Sequence, residues 1–210
     1  MIWPQWSFAL VLVVAELLAG CASAPKAVGP TAIRPLPQQP PTHQVVGDAI
    51  IASLGGVGVT LGWLSEGASD DYFASRLGLA TPWPKEVWKA TPPTVFLLRI
   101  RNPTRDEVQF DPGTVSLTNQ EGDRQRTIPY EDFYVRLAEA PDADARLRSL
   151  QSTLLSRFVV LPPGGQREGL LVFPTPEPKS KLLVLEFGSF FVGGRNIPGT
   201  FSFQVTFSDK

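Results

Sequence analysis

Few residues in this chain could perform nucleophilic or metal chemistry. Among its 210 residues there is one cysteine, Cys21, and one histidine, His43. A catalytic triad needs an imidazole held against its nucleophile, and a zinc site needs several thiolate or imidazole ligands. His43 ends a proline-rich stretch, where we expect a solvated side chain. We therefore predict that the protein is not an enzyme, with no catalytic residue, no bound metal and no cofactor.

The carboxylates do not change this prediction. Glycosidases need two carboxyl groups that face each other across a cleft. Here the acidic residues occur in close pairs at predicted helix starts, where they are more simply explained as caps: Asp70/Asp71, Glu131/Asp132 and Asp142/Asp144. Gly55-Gly56-Val57-Gly58 lacks the lysine of a phosphate-binding loop.

The chemistry of Cys21 is instead that of attachment. An apolar run ends in Leu18, followed by Ala19, Gly20 and Cys21. An aliphatic residue, two small residues and cysteine resemble the lipobox of bacterial lipoproteins. The resemblance implies cleavage between Gly20 and Cys21, loss of residues 1–20 as a signal peptide, and a palmitate-type lipid on the thiol. The alternative is a buried core helix that ends in Ala-Gly-Cys.

The resemblance also implies a location. Ala22, rather than aspartate, follows the cysteine, and by similarity to Gram-negative lipoproteins this favours the outer membrane, with the protein on its periplasmic face. Residues 1–20 carry Glu16 and no basic residue, so the remaining chain has equal numbers of acidic and basic residues. Such a balance gives no electrostatic bias toward nucleic acid.

Residues 21–44 are rich in proline, including Pro35, Pro37, Pro40 and Pro41. Proline removes backbone donors and favours the polyproline II conformation, so we predict an extended stalk without a core. The stalk would separate a membrane anchor from a folded domain over residues 45–208.

The folded domain is predicted to begin with a hairpin over Val45–Leu64. Gly55-Gly56 suits a two-residue turn, and pairing across it places Leu54 opposite Val57 and, further along, Asp48 opposite Trp63. One face then holds the large apolar residues and the other holds small ones. The alternative is a membrane-inserted helix, although it would contain several glycines and a charge.

Short β-type stretches separated by glycine and proline turns continue from Thr94 to Phe207. A short helix over 70–77, capped by Ser69, is expected before them. This pattern predicts a mainly β fold, an antiparallel β-sandwich.

Two stretches then carry a second resemblance. Phe96–Arg124, with Asn102 and the Val-x-Phe-Asp-Pro of 108–112, and Leu161-Pro162-Pro163-Gly164 before the strand 169–173 are similar to immunoglobulin-like domains of bacterial surface lipoproteins. The resemblance covers about residues 94–207. It implies an immunoglobulin-like sandwich with a structural or adhesive role and supplies no catalytic residue.

A helical insertion is predicted at about residues 130–157, because its apolar residues recur at helical spacing and Pro141 divides it. One interpretation is a crossover that buries one face on the sandwich. The other is a surface for an envelope protein partner, with Tyr130 and Tyr134 as aromatic anchors beside Arg148. Arg195, in a Gly-Gly loop, is a further candidate contact.

Trp83 and Trp88 offer an alternative function, because two tryptophans could form an aromatic platform for a glycan. Such residues more often plug the open end of a sandwich. The sequence thus favours a lipid-anchored envelope protein that is a structural or protein-interaction module, with a carbohydrate-binding lipoprotein as the alternative.

Overall fold

The computed structural model describes residues 29–38, 43–88 and 92–208. The fold is mainly β with antiparallel sheets. The helices are α1 (Glu66–Ala74), α2 (Lys85–Trp88), α3 (Tyr130–Leu137) and α4 (Ala143–Thr153). The strands are β1 (Ala32–Pro35), β2 (His43–Val46), β3 (Ala49–Leu54), β4 (Val57–Leu64), β5 (Thr94–Arg101), β6 (Val108–Phe110), β7 (Ser116–Asn119), β8 (Arg124–Arg126), β9 (Val159–Leu161), β10 (Gln166–Phe173), β11 (Leu182–Phe187), β12 (Phe190–Val192), β13 (Arg195–Asn196) and β14 (Gly199–Thr206).

Two five-stranded sheets pack face to face in a sandwich-like arrangement. Sheet A has the order β1-β14-β11-β7-β8, and sheet B has the order β10-β5-β4-β3-β2. Alternate residues of the facing strands are buried between them, as period-two patterning requires. The rings of Phe96 in sheet B and Phe203 in sheet A lie 5.1 Å apart, centroid to centroid. The main core therefore lies between these sheets.

A third sheet, sheet C, has the order β13-β12-β6-β9 and packs against the same core. Phe110 of β6 and Phe190 of β12 are fully buried. The Phe110 ring lies 5.0 Å from that of Phe187 in sheet A. Strands β6 and β12 thus extend the core beyond the two main sheets.

The helices cover part of the opposite face of sheet B. Leu170 and Val172 of β10 are buried there against a second cluster that includes Phe133 of α3 and Leu150 of α4. The helical insertion predicted near 130–157 therefore forms α3 and α4, and its apolar stripe packs on the sheet.

The predicted hairpin is confirmed as β3 and β4. Leu54 pairs with Val57, and the two turn residues Gly55 and Gly56 have φ values of +59° and +88°. Positive φ at both positions is what a primed turn needs. The hairpin is shorter than predicted, because Gly47 and Asp48 form a second turn and Val45–Val46 belong to β2, which pairs with the other side of β3. Pairing of β3 with β4 ends at Ala49 and Gly62, so the expected pair of Asp48 with Trp63 does not form.

Two predictions near the start of the domain were wrong for the residues described. Ala32–Pro35 form β1, which pairs with β14 and buries Ile33, and therefore belong to the sandwich rather than to a stalk. His43, expected in solvent, is 6% exposed, and its ring lies 5.4 Å from that of Phe201. Pairing of β1 with β14 and of β2 with β3 places both segments against the core. Gly20, Cys21 and the signal segment lie outside the described residues.

Helix α1 begins earlier than predicted. Its N-cap is Ser65, whose hydroxyl accepts from the Ala68 amide at 3.2 Å, so Asp70 and Asp71 lie inside the helix instead of capping it. Ser69, the expected cap, is buried and accepts a hydrogen bond from Trp83. Leu77, the last residue of the predicted helix, lies beyond the end of α1 and is fully exposed. Asp142 precedes α4 in the left-handed region without a side-chain capping bond.

Candidate functional site

A cavity of about 860 Å³ opens beside the C-terminal end of α4, between β9 and the start of β10. We call it the β9 cleft. The side chains that matter for its chemistry are Tyr130, Arg148, Arg157, Phe158, Val160 and Arg167. They come from α3, α4, the segment after α4, β9 and β10, so the cleft exists only in the folded chain.

The wall of the cleft is set where the chain leaves α4. The amide of Leu155 donates to the carbonyl of Leu170 at 2.9 Å, so the segment after α4 lies against β10. Gly169 allows this approach, since a Cβ there would lie 2.7 Å from the Thr153 carbonyl oxygen. The chain then passes through the exposed residues Ser156, Arg157 and Phe158 into β9.

The other wall depends on Asn102, a fully buried polar residue after β5. Its side-chain amide donates to the carbonyls of Leu161 and Pro162, both at 3.1 Å, and to that of Asp106 at 2.8 Å. Its own backbone carbonyl accepts from Gly164 at 2.8 Å. Asn102 therefore fixes the end of β9 and the loop that leads into β10.

Both strands beside the cleft are at the edges of their sheets. β9 pairs with β6 on one side, and within the described chain no strand pairs with its other side. β10 pairs with β5, and it is covered on its other side only from Leu170 onward. The cleft is thus lined by backbone that lacks a strand partner.

The exposed side chains at β9 are apolar. Phe158 is 55% exposed and Val160 is 48% exposed, whereas Leu161 is buried in the core. Edge strands of soluble proteins usually carry charges that discourage pairing with another chain. An apolar edge beside an open cleft is the surface expected where another molecule binds.

The charge of the cleft is positive. Its lining holds Arg148, Arg157 and Arg167 and a single carboxylate, Glu131. Among the described residues, none of these three guanidinium groups has a carboxylate within 4 Å. The cleft can therefore offer three free cations to an acidic ligand.

A neighbouring cluster is charged but internally paired. Glu168, on the outer face of β10, binds Arg76 at 2.7 Å and also Arg99. Burial alone would raise the pKa of Glu168, but hydrogen bonds from Arg99 and Arg76 and their charges outweigh it, and the net effect lowers the pKa. This cluster joins the end of α1 to sheet B, and both of its arginines are held by the Glu168 carboxylate.

Only two of the four predicted partner contacts lie in the β9 cleft. Tyr130 and Arg148 line the cleft together. Tyr134 is 60% exposed on α3 but does not line it. Arg195 lies in β13, at the opposite edge of sheet C from β9, about 14 Å away by strand spacing.

Sequence reasoning missed Arg157, Phe158, Val160 and Arg167 as members of the site. Arg157 and Phe158 directly precede β9, and Arg167 follows the Pro-Pro-Gly-Gly turn after it. An arginine and a phenylalanine directly ahead of a short β-type stretch are a sequence signal that could have marked this edge. Nothing in the sequence places them beside Tyr130.

The predicted glycan residues lie in a different place. Trp83 and Trp88 border a cavity of about 650 Å³ that Trp63 also lines. Their rings are 5.9 Å apart at an interplanar angle of 78°, and both contact the ring of Phe133. Trp88 is only 6% exposed. The two tryptophans therefore pack within the second cluster and do not form one flat face for a glycan.

The chain matches no protein-family model, and a search of curated proteins finds no significant match. None of the helices that the structure describes has both the length and the apolar character needed to cross a bilayer. In the same residues, no group of three histidine, cysteine or carboxylate side chains is arranged to hold a metal ion.

Proposed function

We propose that this protein is a lipid-anchored envelope lipoprotein that holds another protein at the β9 cleft. One observation carries the proposal: Tyr130 and Arg148, two of the predicted contact residues, converge with two further arginines on an exposed apolar strand edge. Aromatic and arginine side chains dominate the energetics of protein interfaces. A cleft of this composition suits a protein ligand.

The anchor is the second part of the proposal. Cys21 carries a palmitate-type lipid after cleavage behind Gly20, and the protein faces the periplasm from the outer membrane. The sandwich is of the immunoglobulin-like type, which supplies a rigid support for the cleft. The sequence motif supports the anchor, and the face-to-face sheets support the sandwich.

Metabolic labelling with a palmitate analogue tests the anchor. The wild-type protein should be labelled and membrane-bound, and Cys21→Ser should lose both properties. An unlabelled wild type would refute lipidation.

Photocrosslinking in intact cells tests the cleft. A benzophenone amino acid at position 130 should give a discrete crosslinked species, and the same group at position 134 should not. Both positions lie in α3, but only Tyr130 lines the cleft. Equal crosslinking from both positions, or from neither, would refute a partner at the cleft.

The alternative is a carbohydrate-binding lipoprotein that uses the tryptophan-lined cavity. Its support is that Trp63 and Trp83 are half-buried and line a cavity together with the carboxylates of Glu66 and Asp70. Glycan-array binding that is lost in Trp83→Ala, with crosslinking from position 130 unaffected, would favour this alternative.

A further inference from the structure

We propose that the ligand of the β9 cleft is an extended, acidic segment of a protein that adds a strand to the free edge of β9. The inference rests on the proposed function, because it assumes that the cleft holds a protein. It specifies how the ligand is bound and what its chemistry is.

The open backbone edge is the first observation. β9 has no strand on its outer side in the described structure, and the facing residues 166–168 of β10 are uncovered as well. A peptide that enters this space in an extended conformation can pair its backbone with β9, as in known cases of strand addition. The volume of about 860 Å³ is enough for a short segment.

The side chains at this edge also differ from those at another free edge. β8, at the edge of sheet A, exposes Arg124 and Arg126, and charges of this kind discourage pairing. β9 exposes Val160 and is preceded by exposed Phe158. Apolar side chains of an added strand can pack on these two residues.

The charge of the cleft defines the ligand further. Arg148, Arg157 and Arg167 come from α4, from the segment after it and from β10, so they surround the path of an added strand. In an extended peptide, alternate side chains point to opposite faces. A sequence that alternates apolar and acidic residues therefore places apolar groups on one side and carboxylates on the other.

These observations favour a peptide over a nucleic acid. A phosphate backbone would satisfy the arginines, but it could not pair with β9 as a strand. The whole chain is also close to neutral, with 19 basic and 20 acidic residues. Nucleic-acid-binding surfaces are usually part of a broader basic field.

Fluorescence anisotropy with the full-length protein in detergent tests the proposal. The probe is a labelled peptide of alternating valine and glutamate, eight residues long. In one matched peptide lysine replaces glutamate, and in the other every backbone amide is methylated. A single-stranded DNA octamer serves as the competing polymer. The cleft variant is Arg148→Ala/Arg157→Ala/Arg167→Ala. The control, Arg34→Ala/Arg105→Ala/Arg126→Ala, removes three exposed arginines elsewhere, and circular dichroism checks that both fold.

We expect the glutamate peptide to bind, and the lysine and methylated peptides to bind at least about tenfold more weakly, as hot-spot arginines and lost strand pairing predict. The cleft variant should weaken binding by a similar factor, and the control variant should change it by less than about twofold.

Equal affinity for the methylated peptide would overturn strand addition, and equal affinity for the lysine peptide would overturn the acidic preference. Tighter binding of the DNA, or no peptide binding at up to about 1 mM, would overturn the whole inference. Crosslinking from position 130 in cells is independent of these results. If it persists when the peptide fails, the cleft still binds a protein, but by another mode.

Discussion

The backbone amide of Leu155 donates to the carbonyl of Leu170 at 2.9 Å, and this bond decides how much of β10 is open. At Leu170 the strand is covered by the segment that follows α4, and at Val172 by the segment before α3, where the Ile128 amide donates to the Val172 carbonyl at 2.7 Å. Before Leu170, residues 166–168 have no partner on that side among the described residues. The cleft begins at this boundary, so its shape depends on the close approach of α4 to β10.

Gly169→Ala should loosen this approach. The added Cβ would lie 2.7 Å from both the Thr153 carbonyl oxygen and Leu155 Cγ, and the backbone atom cannot rotate away. Overpacking of this kind should lower the free energy of unfolding by about 1–3 kcal/mol, measured by urea denaturation. Gly58→Ala is the matched control, because the atom nearest to its added Cβ, the Arg101 carbonyl oxygen, would be 3.7 Å away. Equal stability of both variants would contradict the account.

Asn102→Ala should destabilise the protein by about 2–3 kcal/mol, because the carbonyl of the buried Leu161 loses the Asn102 side-chain donor. Asn119→Ala makes the same chemical change in an exposed turn, where water can replace the lost bonds to Asp123. Its cost should be smaller. Thermal unfolding of the two variants compares them, and a larger loss for Asn119→Ala would contradict the role given to Asn102.

The stability of the protein should fall as the pH is lowered from about 7.5 to about 5.5. Burial lowers the pKa of His43 below its ordinary 6.5 in the folded state, so the unfolded chain binds the proton more readily. The free energy of unfolding is therefore highest above that ordinary value and declines as the pH falls through it.

Urea denaturation at several pH values measures this slope, and His43→Phe should flatten it. Glu168 does not interfere, because its folded-state pKa is lowered from 4.5. The stability that it contributes is present above that value and is lost only at more acidic pH. An unchanged slope in His43→Phe would show that another group causes the dependence.

Trp88→Ala should cost about 3–5 kcal/mol, as expected when a large aromatic core residue is removed. Trp88 is buried against Phe133 and Trp83, and the Arg136 guanidinium lies 5.0 Å from the centre of its ring. Tyr134→Ala, on the exposed side of α3, should change stability by less than about 0.5 kcal/mol. If Trp88→Ala is as stable as wild type, the residue is free to serve as a ligand surface.

Local patterns were enough to predict much of the fold. Gly55-Gly56 predicted the β3–β4 turn, short β-type stretches predicted strands after Thr94, and helical spacing predicted α3 and α4. Each of these signals depends on residues that are close together in the chain, so it can be read from the sequence alone.

Features that depend on distant partners were not predicted. β1 looked like part of a stalk because its pairing strand, β14, lies at the other end of the domain. His43 is buried by Phe201 for the same reason. The cleft belongs to this class too, since Arg148, Arg157 and Arg167 meet only after β9 and β10 have entered different sheets.

The most direct test measures crosslinking from position 130 after the charge of the cleft arginines has been reversed. In cells, a benzophenone amino acid at position 130 is placed in the wild type, in the cleft variant Arg148→Glu/Arg157→Glu/Arg167→Glu, and in the control variant Arg34→Glu/Arg105→Glu/Arg126→Glu. We expect the crosslinked protein species in the wild type and in the control variant. We expect it to be lost in the cleft variant. Crosslinking that survives reversal of the three cleft arginines would contradict a partner held by their charge.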